Sequence, residues 1–525
     1  MVSLCEASKI YVGGNEVSAV YLGSNKVWPC GPDAWELYIE VTDDYKTYSV
    51  YLWNNPSYLP EVEGTDLDID WGDGTVVNYT TQGKKAYTYT TNGTYTIKIS
   101  GHLAPGAYGA FISGCYWRED APDMLIGVGA VGGITGLTAF DNLLNSAERI
   151  TEVPEDLFRY YPWFETSDVS TVFEYTFWDC TALESVPENL FKHNTKVTEF
   201  FYTFYNCESL ASLPENLFKY NTEVTEFNGT FWYCYMTSLP ENLFKYNTKI
   251  TKFIDTFFYC ESITSLPENL FRYNTEITEF IGTFQGLNAL GEIPENLFKY
   301  NTKVTKFNGA FAYIESDPFT IPENLFKYNT EVTEFDRTFG FIRQVTTIPE
   351  NLFYYNTKVE TFDQCFVDWD SLTAIPANLF TNNTNVLSFY GCFKDCDDIE
   401  ELPSNLFSNN INTTSFRECF YSCSNLETVP DDLFANNTEV TSFNSCFRYC
   451  NKLQVNPNIF GNLSTRFTGK TVTFNYCFRI SAFTGSQGEA PELWSAAGTL
   501  SGNDCFAGHS ITSLSNYNDI PNDWK

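Results

Sequence analysis

A proline returns about every 27 residues through most of the chain, and nothing else in the sequence constrains the fold as much. The series is Pro154, Pro187, Pro214, Pro240, Pro267, Pro294, Pro322, Pro349, Pro376, Pro403, Pro430 and Pro457; the first interval is 33 residues and the rest are 26 to 28. Proline fixes its own φ and has no N–H to donate, so no long helix or central strand runs through it. Units of one length and one pattern are the mark of a stacked repeat. The consensus is apolar-Pro-Glu-Asn-Leu-Phe-Lys-Tyr-Asn-Thr-x-Val-Thr-x-Phe-x-x-Thr-Phe-x-x-Cys-x-x-Leu, and residues 213–234 show most of it. Apolar positions every three or four residues suit helical turns. The Val-Thr-x-Phe segment is β-branched and aromatic and favours a short strand. Residues 151–480 are therefore expected to form about twelve coils, each with one or two short strands and short helical or 3₁₀ turns. Two helices per repeat is the alternative.

Several residue types fall into columns. Asn194, Asn221, Asn247, Asn274, Asn301, Asn329, Asn356, Asn383, Asn410 and Asn437 occur once per unit. A buried Asn can satisfy backbone groups that a coil leaves unpaired, whereas a surface turn is its other common place. Tyr220, Tyr246, Tyr273, Tyr300, Tyr328 and Tyr355 form a second column. It is either a ring platform for sugar or protein, and so a candidate ligand-contact face, or cover for the edge of the core. Glu215, Glu241, Glu268, Glu295 and Glu323 follow the prolines, where a carboxylate suits the N-terminus of a helical turn.

Cysteines pair as Cys392 and Cys396, Cys419 and Cys423, and Cys446 and Cys450 in the form Cys-Phe-x-x-Cys. Coils stacked at ~4.8 Å bring like thiols together, and four thiolates can hold zinc. Earlier units place Thr203, Thr230, Thr256, Thr283 and Ala310 at the first position, which fits small buried core groups better than metal or disulfide.

The chain has 66 acidic and 31 basic residues, a formal net charge of −35. That balance argues against nucleic acid, which needs a basic footprint, and against anionic lipid. No apolar run is long enough to span a bilayer, and no secretory signal is visible. Only His102, His193 and His509 occur, and none recurs with the repeat. The chain is expected not to be an enzyme and to need no metal or cofactor; a carboxylate pair of the glycosidase kind is the catalytic option left open.

The Phe-x-x-Cys-x-x-Leu element, strict from Phe177 to Leu183, Phe204 to Leu210, Phe420 to Leu426 and Phe447 to Leu453, resembles the BspA-like kind of leucine-rich repeat. Ile263 and Ile399 replace its Leu, and the units at Phe284, Phe311 and Phe339 lack its Cys. Before the array, Asp70-Trp71-Gly72-Asp73-Gly74-Thr75, with Tyr87-Thr88-Tyr89 and Gly93-Thr94-Tyr95, resembles the polycystic-kidney-disease (PKD) domain, an immunoglobulin-like module. Asp66-x-Asp68-x-Asp70 opens like a calcium loop, but Trp71 and Val77 stand where that loop needs Gly and Glu, so a strand is expected there. Residues 9–28 hold two β-type runs joined through Gly13-Gly14-Asn15, a hairpin signal. This segment is similar to the N-terminal motif of phage tail and fibre proteins.

The expected fold is mainly β with short helical turns: a small N-terminal β-sandwich followed by a leucine-rich-repeat-like solenoid of about twelve 27-residue repeats. Its parts are an attachment hairpin (1–32), the PKD-like sandwich (33–103), a linker and solenoid cap (104–150), the array (151–480) and a C-terminal cap (481–525). The resemblances imply a fibre-type virion protein of phages infecting gut Bacteroidales, including crAss-like phages. On that reading residues 1–32 contact other virion proteins, the array contacts a host cell-surface glycan or protein, and a homotrimer is one possible assembly. A virion location follows, with assembly in the bacterial cytoplasm and no membrane insertion. A purely structural virion protein, a bacterial surface adhesin and a capsule depolymerase are the alternatives. Contacts are expected where faces vary, as at Asn228-Gly229, Ile254-Asp255 and Asp336-Arg337.

About three Phe positions per unit build the core. Truncating one, Phe253→Ala, is expected to lower stability by roughly 3–5 kcal/mol, read as a fall in melting temperature; an unshifted melt would mean the ring is exposed.

Overall fold

The computed structural model describes residues 11–12, 15–16, 20–22, 25–28, 32–52, 65–81, 83–103, 124–135, 137, 140–160, 173–481 and 486–525. The chain divides into two compact units, Met1–Thr251 with Asp255–Cys260, and Lys252–Ile254 with Glu261–Lys525.

In the first unit, β1 (Tyr11–Val12) pairs antiparallel with β2 (Asn15–Glu16), and β3 (Val20–Leu22) with β4 (Asn25–Trp28). The single hairpin expected over 9–28 is thus two.

Then follow β5 (Trp35–Val41), β6 (Thr47–Leu52), β7 (Asp66–Asp70), β8 (Val76–Tyr79), β9 (Gly83–Thr88), β10 (Gly93–His102), β11 (Leu125–Val128) and β12 (Ile134–Thr135). One sheet has the order β11-β5-β10-β7-β8, with β12 parallel beside β10, while β6 and β9 form a separate antiparallel pair. Alternation along β5 buries Trp35, Leu37, Ile39 and Val41. The acidic triplet lies on β7: Asp66 and Asp68 both accept from Asn78 Nδ2, at 2.8 and 2.9 Å.

Residues 125–128 and 134–135, expected as linker and cap, instead extend this sheet. Their glycines suggested a linker by composition. In fact Gly127 lets the strand lie close to Tyr38, where a Cβ would stand 3.1 Å from that ring.

Coils begin at Phe140 in the first unit. Each is a run of turns closed by i→i+3 bonds, such as Leu217 N–H to the Pro214 carbonyl. Three-residue strands occur at β13 (Glu226–Asn228), β14 (Lys252–Ile254) and β15 (Glu279–Ile281). Later coils meet at the same position through single parallel bridges, as Lys306 with Glu334 and Thr361 with Ser388. The one α-helix among the described residues is α1 (Leu463–Arg466).

Three columns of buried Phe fill the coils. In the first unit Phe177, Phe204, Phe231 and Phe257 stack with centroids 5.0, 5.5 and 5.6 Å apart, their planes within 5°. In the second, Phe253 stacks on Phe280 at 5.8 Å and Phe280 on Phe307 at 5.6 Å.

Beside the rings runs the Asn column, fully buried from Asn221 to Asn437. Asn221 Nδ2 donates to the carbonyls of Phe191 (3.1 Å) and Asn194 (2.9 Å), and Asn247 repeats this on Phe218 and Asn221. In the second unit Asn301, Asn329 and Asn356 each reach the Phe and Asn carbonyls of the preceding coil at 2.8–3.1 Å. After Asn437 the column ends differently: Arg466 Nη2 donates to Phe434 and Asn437, the two carbonyls the next Asn would have taken.

The coils do not stop at 480. There β16 (Thr471–Thr473) pairs parallel with β17 (Thr499–Ser501), and Phe506 stacks on Phe478 at 5.5 Å. The spacing lengthens here, so the sequence period fades before the stacking does. Trp524 closes this end: its carbonyl accepts from Phe506 N–H, and it presses on Gly502, where a Cβ would stand 2.0 Å from the indole.

Asn329→Ala removes two buried hydrogen bonds, leaving the Phe298 and Asn301 carbonyls with one turn N–H each, so a loss of about 1–3 kcal/mol is expected. The exposed Asn385, which donates to the Thr357 carbonyl, should cost under about 1 kcal/mol when truncated. Denaturant midpoints of the two variants check the contrast.

Candidate ligand-binding faces

The tyrosine column lies outside the core. Tyr246, Tyr273, Tyr328 and Tyr355 are 36–41% exposed, so part of each ring reaches solvent, and Tyr220 and Tyr300 are half-buried. Their rings are not a bare platform, because each has at least one cation over it. Lys192 and Lys219 lie over Tyr220 at 5.7 and 5.6 Å, and Lys219 and Lys245 over Tyr246 at 5.6 and 5.5 Å. In the second unit Arg272 serves Tyr273 and Tyr300, Lys299 serves Tyr300 and Tyr328, and Lys327 serves Tyr328 and Tyr355, all at 5.5–5.9 Å. These distances are those of cation–π attraction.

The glutamates after the prolines sit at no helix, which corrects the helix-terminus expectation. Glu268 and Glu295 accept instead from Nδ2 of Asn296 and Asn324 in the following coil, at 2.7 and 2.8 Å. The turn is too short to carry a dipole, and the carboxylate finds its partner in the next repeat.

A second face, not singled out from the sequence, belongs to the first unit. Tyr175, Trp178, Tyr202, Tyr205, Trp232 and Phe258 are all half-buried and touch one another. Trp178 stacks on Tyr205 at 3.8 Å and 12°, Trp232 lies 3.9 Å from Phe258, and Tyr202 packs 5.8 Å from Tyr175 and 5.7 Å from Trp232. Trp178 Nε1 donates to Asp179, whose other oxygen accepts from Asn206, both at 2.8 Å.

The variable positions expected to contact ligand divide between the units. Gly229, at φ +57°, leaves room for Tyr202, whose ring a Cβ would meet at 2.3 Å. Burial raises the Tyr202 hydroxyl above its ordinary value, and the charge of nearby Asp255 adds to that. In the second unit Asp336 accepts from Thr361 Oγ1 at 2.7 Å and Asp363 N–H at 3.1 Å, and Arg337 grips Gln364 Oε1. A signal for the aromatic face did exist: the two residues between Phe and Cys are Trp178-Asp179, Tyr205-Asn206, Trp232-Tyr233 and Phe258-Tyr259, and then Gln285-Gly286.

The described thiols are all free and buried. Cys207 and Cys423 Sγ donate to the carbonyls of Phe177 and Phe393 at 3.2 and 3.1 Å. Burial pushes both thiols well up, whereas zinc takes thiolates. Among the described residues no group of three or more His, Cys, Asp or Glu is placed to hold a metal ion, and no helix is long and apolar enough to cross a membrane. His509 is buried, held down to about 4 by desolvation, with Nε2 2.8 Å from the Phe478 carbonyl.

No family model matches the chain, and no curated protein matches it. Solved structures do. A leucine-rich repeat protein from Bacteroides ovatus is 16% identical over 67% of this chain and 85% of its own, with a TM-score of 0.28. The Toll–Spatzle complex of Drosophila gives 17% identity, 52% and 36% coverage and 0.29; the leucine-rich repeat domain of the type III effector XopL gives 11%, 48% and 62%, and 0.19. The chain is similar to leucine-rich-repeat proteins. It spans about a third of the Toll chain and less than two thirds of the XopL one. The coil geometry described above rests on the chain's own hydrogen bonds and rings.

Burial raises Asp255 to about 6 from an ordinary 3.8. A carboxyl raised in the folded state adds stability below its unfolded value, and that contribution is lost as pH rises through its folded one. Asp255→Asn should therefore match the parent near pH 4 and exceed it near pH 7 in thermal melts. Equal melting differences at the two pH values would mean that Asp255 titrates normally.

Proposed function

We propose that the chain is a repeat-built binding protein that attaches a particle to a host cell through a surface glycan or protein. The observation that carries this reading is the aromatic face of the first unit. Trp and Tyr supply large amphipathic contact area. Because these rings already stack on one another, little conformational freedom is left to lose on binding. The reading is of binding and not catalysis: the acidic columns are engaged in coil-to-coil hydrogen bonds, and the buried His509 faces a backbone carbonyl.

A finer reading puts the chain on a phage virion as a homotrimer, with residues 1–32 toward other virion proteins. It is supported by the similarity of residues 9–28 to phage tail and fibre N-termini and by the PKD-like motif at Asp70–Thr75. Antibody raised to the chain should label an appendage of purified virions; labelling of bacterial surfaces alone would favour an adhesin.

Two anchors of this kind removed together weaken an interface by about tenfold or more, so Trp178→Ala with Trp232→Ala should cut binding of the full chain to susceptible cells by that factor. Periodate treatment of the cells abolishes binding if the receptor is a glycan, and protease treatment if it is a protein. Undiminished binding by the double variant would overturn the assignment of this face.

A further inference from the structure

We propose that the ladder of Arg272, Lys299 and Lys327, with the tyrosines between them, binds a linear acidic polysaccharide. This goes beyond the attachment reading and uses a different face.

Two sets of basic residues on the coils between Arg272 and Lys358 differ in their partners. Lys303, Lys306 and Lys358 pair with Glu276, Glu334 and Glu331 at 2.6, 3.1 and 2.5 Å. Arg272, Lys299 and Lys327 have no carboxylate partner among the described residues, and each rests over two tyrosine rings. In a chain of net charge −35, an unpaired row of cations is a local exception. Like charges repeated at the coil spacing of ~4.8 Å repel one another. An opposing line of negative charge relieves that repulsion and is drawn to it.

The row also has an end. At the next place Tyr354 replaces the cation, and beyond it Asn382, Asn409 and Asn436 replace the tyrosine and donate to the carbonyls of Tyr354, Thr381 and Ser408. The charge therefore stops at Lys327 and the rings one coil later at Tyr355, while the coils continue.

Geometry selects among polyanions. Single-stranded nucleic acid gains its hold from bases stacked on open ring faces, and here those faces are covered by cations from the same coil and the neighbouring one. A polymer gripped by charge alone, with one carboxylate on each repeating sugar, needs no ring face and can meet a cation at each coil.

The test is binding of polygalacturonate to the full chain by calorimetry at low and at physiological salt, with dextran as neutral control. Arg272→Gln, Lys299→Gln and Lys327→Gln together should weaken it about tenfold and flatten its salt dependence. Lys303→Gln, Lys306→Gln and Lys358→Gln remove equal charge from the ion-paired set and should change it by no more than about twofold. Melting curves confirm folding; if the ladder triple does not fold, Lys299→Gln alone should weaken binding about twofold. Absence of polygalacturonate binding at low salt, equal losses in both triples, or tighter binding of oligothymidylate would overturn the proposal. Trp178→Ala with Trp232→Ala should leave polygalacturonate binding intact, so this face and the aromatic one stand or fall separately.

Discussion

Each coil borrows the side-chain amide of the next to finish its own hydrogen bonding. A chain that turns this tightly buries carbonyls such as those of Phe191 and Asn194, each of which accepts one turn N–H from its own coil and keeps a second lone pair to satisfy. One Asn per coil supplies two N–H bonds to the coil before it, from Asn221 onward. The phenylalanine columns depend on that arrangement, since ring stacking at 5–6 Å requires coils held in strict register. Where the Asn series ends, Arg466 takes over the same two carbonyls, its burial lowering its pKa from the ordinary guanidinium value. Desolvating an arginine is expensive, and here the two carbonyl acceptors offset part of that cost.

The repeat, the Asn column and the Phe core were legible in the sequence because each is periodic and each column has one chemical purpose. What was not legible involves partners a whole unit away. Glu268 looks like a helix-terminal acid until the Asn296 amide is seen to meet it from the next coil. The strand at 125–128 was hidden by glycines that a close approach to Tyr38 requires. The last coil was hidden by spacing, since Phe447 and Phe478 are 31 residues apart and yet stack. The aromatic face was overlooked because its residues fill positions the consensus leaves open, and open positions look like noise until neighbouring coils bring them side by side.

The two faces solve opposite problems with the same residue types. On the first unit, rings contact rings and leave a partly apolar surface, with Asp255 raised by the burial they impose. On the tyrosine column, rings separate cations that would otherwise repel, and the faces of the rings are used up in doing so. Aromatic content alone, high as it is here, does not distinguish a binding platform from a charge spacer. What distinguishes them is which group lies against the ring face.

A coil that takes its template from its predecessor carries everything needed to be copied. Duplicating one unit of the gene would add a coil whose Asn finds carbonyls waiting and whose Phe rings find a stack to join, with no change required elsewhere. Deleting one would leave the flanking coils equally well matched. Such an array can lengthen, shorten or exchange units by recombination between its own repeats. The exposed positions then travel with each unit as interchangeable cassettes, so the recognition surface can be revised without refounding the core.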